Sequence, residues 1–251
     1  MALLTTTTAN GVRSIGFNRP DALNAFTPEL LAALSAEIGA ASRDAAVGAV
    51  VLSGEGRAFS AGVDLKLLKG AAPVAGRISS DFDGEAYRAA AAIRHCLHPV
   101  IAKVHGFCFT GALELALHCD FIFTTEDTKF GDTHAKWGLR PTWGMSQNLA
   151  RAVGVRRARE LSYTARTFTG ADAARWGLAN DALKDRASLD AHVEKRAAEI
   201  AAGSRGAVGA YKKLYALHEE LRPLEQALET EVELDFPDID DTAARLKEFG
   251  R

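Results

Sequence analysis

Apolar positions along the chain follow two rhythms, and segments of each kind alternate. Residues 12–17 read as a short strand. In the stretch "FTPELLAALSAEIGA", Thr27 stands as N-cap, Pro28 at the first helical position and Glu29 in the first turn. Leu30, Leu31, Leu34 and Ile38 then recur at helical spacing, so one face of this helix lies on a core. The run "VGAVVLSGEG" (47–56) is continuously apolar until glycines stop it, the pattern of a buried strand, and "PVIAKVHG" (99–106) and "FIFTTE" (121–126) read the same way. Helical patterns at 84–97 and 111–119 sit between these strands, which predicts an α/β fold in layers. Residues 69–83, "KGAAPVAGRISSDFD", have no period and are rich in Gly, Ala, Pro and Ser, which predicts a mobile loop over a site. From about 186 onward strand signals cease, and "LDAHVEKRAAEIAAG" and "PLEQALETEVEL" carry charge-rich amphipathic helical patterns. The chain therefore divides into a β/α core over 1–188 and a helical extension over 189–251.

Composition removes several function classes. With 251 residues, 47% of them hydrophobic, the chain can bury a substantial core. A net charge of −2 and a pI near 6.4, without a long basic run, leave no electrostatic footprint for nucleic acid. No segment approaches the roughly 18 apolar residues of a membrane span, and the start lacks a leader pattern, so a cytoplasmic protein is expected. Cys96, Cys108 and Cys119 are odd in number and too widely spaced for a zinc or disulfide framework, and are read as buried small hydrophobes.

Candidate chemistry begins in "GFCFTGALELALHCD" (106–120), where a helix opening at Gly111 is apolar on nearly every side but carries Glu114. A lone carboxylate there has two readings: a cap or ion-pair partner favoured by the helix dipole, or a general acid/base poised by burial. Gly106 and Gly111 have phosphate-loop spacing, but Ala112 and Leu113 replace the Lys and Ser/Thr that such a loop needs. No GxGxxG follows a strand, and "GMSQN" (144–148) lacks both the last glycine of a hydrolase elbow and a strand before it. A second glycine stretch, "GRAFSAGVDLKLL" (56–68), also leads from a strand toward a short helix, and two such turns can aim backbone N–H groups at one oxyanion. The stretch "KFGDTHAKWGLRPTWG" (129–144) is too charged and glycine-broken for ordinary core.

Five blocks taken in order, "NRPDALNAF" (18–26), "GRAFSAGVDL" (56–65), "PVIAKVHGFCFTGALELALHCDF" (99–121), "FGDTHAKWGLRPTWG" (130–144) and "TGADAARWGLAND" (169–181), resemble the crotonase, or enoyl-CoA hydratase/isomerase, superfamily. The resemblance implies a spiral of ββα units with a C-terminal helical region for assembly into a homotrimer or a dimer of trimers. It implies an acyl-CoA thioester as substrate and no metal or redox cofactor. The Val63 and Gly111 N–H groups would form the oxyanion hole, Glu114 would activate water, and Ala22, Leu23, Ala61, Asp64, Leu65 and Lys66 would border the CoA. Thr142 and Trp143 would line the acyl side.

The chain also departs from the family pattern. His134 stands where the hydratases carry a second glutamate, with Asp132 placed to orient or replace it; a plain pocket-lining role for His134 stays open. Thr110 and Ala112 replace glycines on either side of Gly111. Trp143 occupies a position usually small, which narrows the acyl pocket, and Thr142 replaces the nucleophilic aspartate of the aroyl-CoA dehalogenases. The resemblance thus points to addition of water to an enoyl-CoA. The alternatives are Δ3-Δ2 isomerisation, retro-aldol cleavage, decarboxylation, or acyl-CoA binding without catalysis.

Overall fold

The computed structural model describes residues 2–68 and 73–219, together with residues 225, 226, 229 and 247. Its main sheet has six strands, β1 (Leu4–Ala9), β2 (Val12–Phe17), β3 (Ala49–Gly54), β4 (Val100–Val104), β6 (Phe121–Thr125) and β9 (Asp181–Leu183), in that spatial order. Only the β1–β2 pair is antiparallel; every later pairing in this sheet is parallel. A smaller sheet joins β5 (Phe107–Phe109), β7 (Lys129–Gly131) and β8 (Phe168–Thr169).

Both faces of the main sheet are covered, which is why its central strands lack the polar alternation of a half-exposed sheet. In β3, Val50 and Leu52 face a core shared with α1 (Pro28–Arg43) and α2 (Ser80–His95), while Ala49 and Val51 face the other side. There Leu189, Val193 and Ala197 of α7 (Arg186–Ala202) pack on Val51, Ile101 and Phe123. The helical extension expected from 189 thus starts inside a helix that seals the sheet. Helix α8 (Arg205–Glu219) follows, and the "PLEQALETEVEL" pattern lies mostly outside the described residues.

The helix expected in "FTPELLAALSAEIGA" (26–40) is α1, with the Thr27 hydroxyl accepting from Leu30 N–H at 3.3 Å. Two expectations change. Helix α2 starts at Ser80, not 84, because Ser79 caps it and accepts from Phe82 N–H at 3.2 Å, so the end of the expected loop is helical; residues 69–72 of that loop lie outside the described residues. Helix α3 (Gly111–Ala116) is shorter than the apolar pattern suggested, since the chain must turn to begin β6. The "GMSQN" stretch opens α4 (Met145–Val153), which α5 (Val155–Thr164) and the short α6 (Gly170–Arg175) follow. Among the described residues no helix is long and apolar enough to cross a membrane.

The turn from β4 to β5 brings the chain to the candidate site, and it depends on Gly106. This residue has φ +66°, and a methyl group on it would lie 2.0 Å from Arg57 O. Gly39, inside α1, has only ordinary contacts at 3.5 Å and beyond, with the flexible Arg43 side chain. We therefore expect Gly39→Ala to raise unfolding free energy by about 0.5–1 kcal/mol and Gly106→Ala to lower it by roughly 2 kcal/mol or more. Urea denaturation of the two variants checks both signs.

Candidate active site

Two strand-to-helix turns meet at the end of the core. Val63 forms an isolated parallel bridge with Phe26, in which Phe26 N–H donates to Gly62 O at 2.7 Å and Asp64 N–H to Phe26 O at 2.9 Å. The intervening Val63 N–H therefore faces away from that bridge. Gly62 has φ +88°, and a methyl group there would sit 2.5 Å from Phe109 O and 3.4 Å from Gly111 N, so the two turns touch. Among the described residues neither the Val63 nor the Gly111 N–H has a backbone acceptor. Thr110, between β5 and α3, has φ 50° and ψ −111°, a conformation suited to glycine. It is held there by its own N–H to Gly131 O at 2.8 Å and by its hydroxyl against Thr133 Oγ1 at 2.5 Å.

Glu114 lies one turn along α3 and is 1% exposed. Its Oε1 accepts from Trp143 N–H at 3.0 Å and Met145 N–H at 3.1 Å, donors from the loop entering α4. Its other oxygen, Oε2, faces His134 Nε2 at 3.6 Å. On the far side of that ring, His134 Nδ1 donates to Asp132 Oδ1 at 2.7 Å, and His134 N–H reaches the same oxygen at 3.3 Å. Burial alone would raise the Asp132 carboxyl, but the hydrogen bonds and charge of His134, with a contribution from the Ser162 hydroxyl of α5, hold it below its ordinary value. The three side chains that the sequence singled out thus form one line, Asp132–His134–Glu114.

The residues expected around CoA also converge. Ala61 N–H donates to Leu23 O at 2.9 Å, which joins the segment holding Ala22 and Leu23 to the one holding Val63. Asp64 pairs with Arg19 at 2.9 Å and accepts from Lys66 N–H at 3.2 Å, with Leu65 between them. Buried Asn24 locks this arrangement, donating to Glu55 O at 2.9 Å and Ala58 O at 2.8 Å. Trp143 lies beside Gly111, where a methyl group would come within 2.5 Å of Trp143 Cζ3, and the preceding Thr142 donates its hydroxyl to Asp83 at 2.8 Å. Glycine at 111 is thus required by the indole that covers it.

Three supporting residues escaped the sequence reading. Asp83 of α2 accepts from Thr142 and Trp143, and Asn24 carried no signal beyond its place in a motif. His118, just past α3, donates from Nε2 to Trp143 O at 2.8 Å, while its Nδ1 accepts from Arg94 at 3.3 Å and Asn148 at 3.4 Å. One peptide unit apart, the N–H of Trp143 serves Glu114 and its carbonyl serves His118.

Known proteins share this arrangement of elements. The chain matches the enoyl-CoA hydratase/isomerase family over residues 7–245, and it belongs to that family. It is 42% identical over 171 residues to a probable enoyl-CoA hydratase of Rhizobium meliloti, covering 68% of this chain and 65%, just under two thirds, of that relative. The fold superimposes on the crystal structure of an enoyl-CoA hydratase from Mycobacterium avium subsp. paratuberculosis with TM-score 0.86, 28% identity and 98% of each chain covered. It also superimposes on an enoyl-CoA hydratase/isomerase from Xanthobacter autotrophicus with TM-score 0.87, 33% identity, 96% of this chain and 88% of that one. The crotonase-type fold expected from the five sequence blocks is therefore the fold of this chain.

His118 makes the site acid-sensitive in a defined window. Burial first, then the Arg94 charge, lowers its pKa to about 4, against the Trp143 carbonyl that favours the proton. Above the unfolded-state value near ~6.5 the ring is neutral in both states and costs nothing. Below it, the unfolded chain binds a proton that native His118 refuses until about 4, so stability falls across that interval by roughly 3 kcal/mol in full. We expect His118→Gln to flatten the acid limb of a plot of unfolding free energy against pH.

Proposed function

We propose that this protein is an enoyl-CoA hydratase that adds water across the 2,3 double bond of an enoyl-CoA thioester. The observation that carries the reading is the opposition of Glu114 Oε2 and His134 Nε2 at 3.6 Å, one turn of α3 beyond the Gly111 N–H. Glu114 takes a proton from water as the water oxygen bonds to the β-carbon. The electrons move into the thioester carbonyl, and the Val63 and Gly111 N–H groups hold the resulting enolate oxygen. His134, as imidazolium, delivers a proton to the α-carbon. The gap between the two side chains then lets the proton on Glu114 return to His134, restoring both.

Asp132 supports the acid role of His134. The interaction that keeps Asp132 ionised also keeps the proton on its partner, and Nδ1 donation to Asp132 fixes Nε2 toward Glu114. Ala22, Leu23, Ala61, Asp64, Leu65 and Lys66 border the CoA in this reading, with Thr142 and Trp143 on the acyl side. Stacked, exposed Tyr211 and Tyr215 on α8 support a covered face there, consistent with a homotrimer or dimer of trimers. Free Cys96, Cys108 and Cys119 fit a cytoplasmic setting.

Glu114→Gln should abolish hydration, by about 10²- to 10⁴-fold in rate, while CoA binding stays within a few fold. Because the imidazolium is lost as pH rises, the wild-type rate should fall through the His titration, and Asp132→Asn should move that limb to lower pH. His134→Ala should remove it. An unchanged alkaline limb in both variants excludes His134 as the acid, and acyl-CoA binding without turnover of any enoyl thioester selects the non-catalytic reading. Light scattering at micromolar concentration should give a trimer or hexamer mass, and a stable monomer would rule out the assembly.

A further inference from the structure

The Trp143 indole is clamped from three sides. Its Nε1 donates to Asp83 Oδ1 at 3.0 Å, and the neighbouring Thr142 hydroxyl donates to the same oxygen at 2.8 Å. Phe82 stacks on it with centroids 5.7 Å apart and planes 15° from parallel. Its opposite edge meets Gly111, where a methyl group would lie 2.5, 3.1 and 3.2 Å from Cζ3, Cε3 and Cη2. Asp83 Oδ2 faces Arg77 Nε at 3.4 Å, so both oxygens are engaged.

We propose that Asp83 is a specificity-determining residue: by locking the Trp143 indole against Gly111 it closes the acyl side of the site, restricting the protein to short-chain acyl-CoA thioesters. The proposal rests on the acyl-CoA reading above. A thioester whose oxygen sits on the Gly111 N–H must send its acyl chain past that residue, and the six-membered ring fills the space beside it. An aromatic wall held by packing alone can swing aside. This one cannot do so without stripping a donor from a buried carboxylate, which is the costly outcome for a desolvated charge. Phe82, 3% exposed, blocks the other direction of escape.

Calorimetric binding of saturated thioesters tests this without requiring turnover. Wild type should bind butyryl-CoA at least about tenfold more tightly than decanoyl-CoA, the scale on which a closed apolar pocket rejects extra methylenes. Asp83→Asn, whose amide oxygen still accepts both hydrogen bonds, should keep that preference. Asp83→Leu, which lacks an acceptor, and Trp143→Ala, which lacks the wall, should each gain decanoyl-CoA affinity and lose most of the preference for butyryl-CoA. Equal or tighter binding of decanoyl-CoA by wild type overturns the proposal. So does a folded Asp83→Leu or Trp143→Ala that binds butyryl-CoA and still rejects decanoyl-CoA. Binding of neither thioester by wild type overturns the acyl-CoA reading itself, and the proposal with it.

Discussion

A carboxylate inside a helix with buried neighbours on every side needs hydrogen-bond donors, and much of this protein's active end is arranged to supply them to Glu114. Ala112, Leu113, Leu115 and Ala116 are all buried, so α3 offers the charge no water. The donors come from the loop before α4, where Gly144 at φ +106° turns the backbone between the two residues whose N–H groups share Oε1. That loop is pinned in turn by Asp83 from α2 and by His118 from the end of α3. Three elements distant in sequence are thus drawn together by one buried carboxyl group.

The central parallel strands β3, β4 and β6 were legible because burial on both faces writes a largely apolar run, whereas the three-residue parallel strand β9 left no such signal. Helix α1 was legible because its cap and first turn follow local rules. Strand β1 was not, since its threonines face solvent on a sheet edge, although Asn10 and Gly11, both at positive φ, mark the hairpin that leads into β2. Strands of two or three residues such as β7 and β8 carry too few positions for any period. Within the site, Glu114, His134 and Asp132 stood out as residue types in improbable surroundings. Their alignment was carried by the family resemblance, because backbone donors such as Trp143 N–H leave no trace in side-chain identity. Asp83 was invisible for the same reason of distance: its partner indole lies 60 residues away in sequence.

Thr110 shows how the fold tolerates a substitution that local rules disfavour. Its backbone occupies a region where a β-branched residue is strained, yet the hydrogen bonds from its N–H and hydroxyl over-determine the turn. Gly111, the next residue, has no such latitude, because an indole lies where its side chain would go.

Residue 143 divides its labour between main chain and side chain. The peptide N–H and carbonyl serve Glu114 and His118, and any amino acid except proline supplies the N–H; the indole alone meets Asp83 and Gly111. Evolution can therefore resculpt the wall at this position without disturbing the support of the buried carboxylate. A lineage on this scaffold is free to drift in what it accepts while the apparatus that holds its charge stays unaltered.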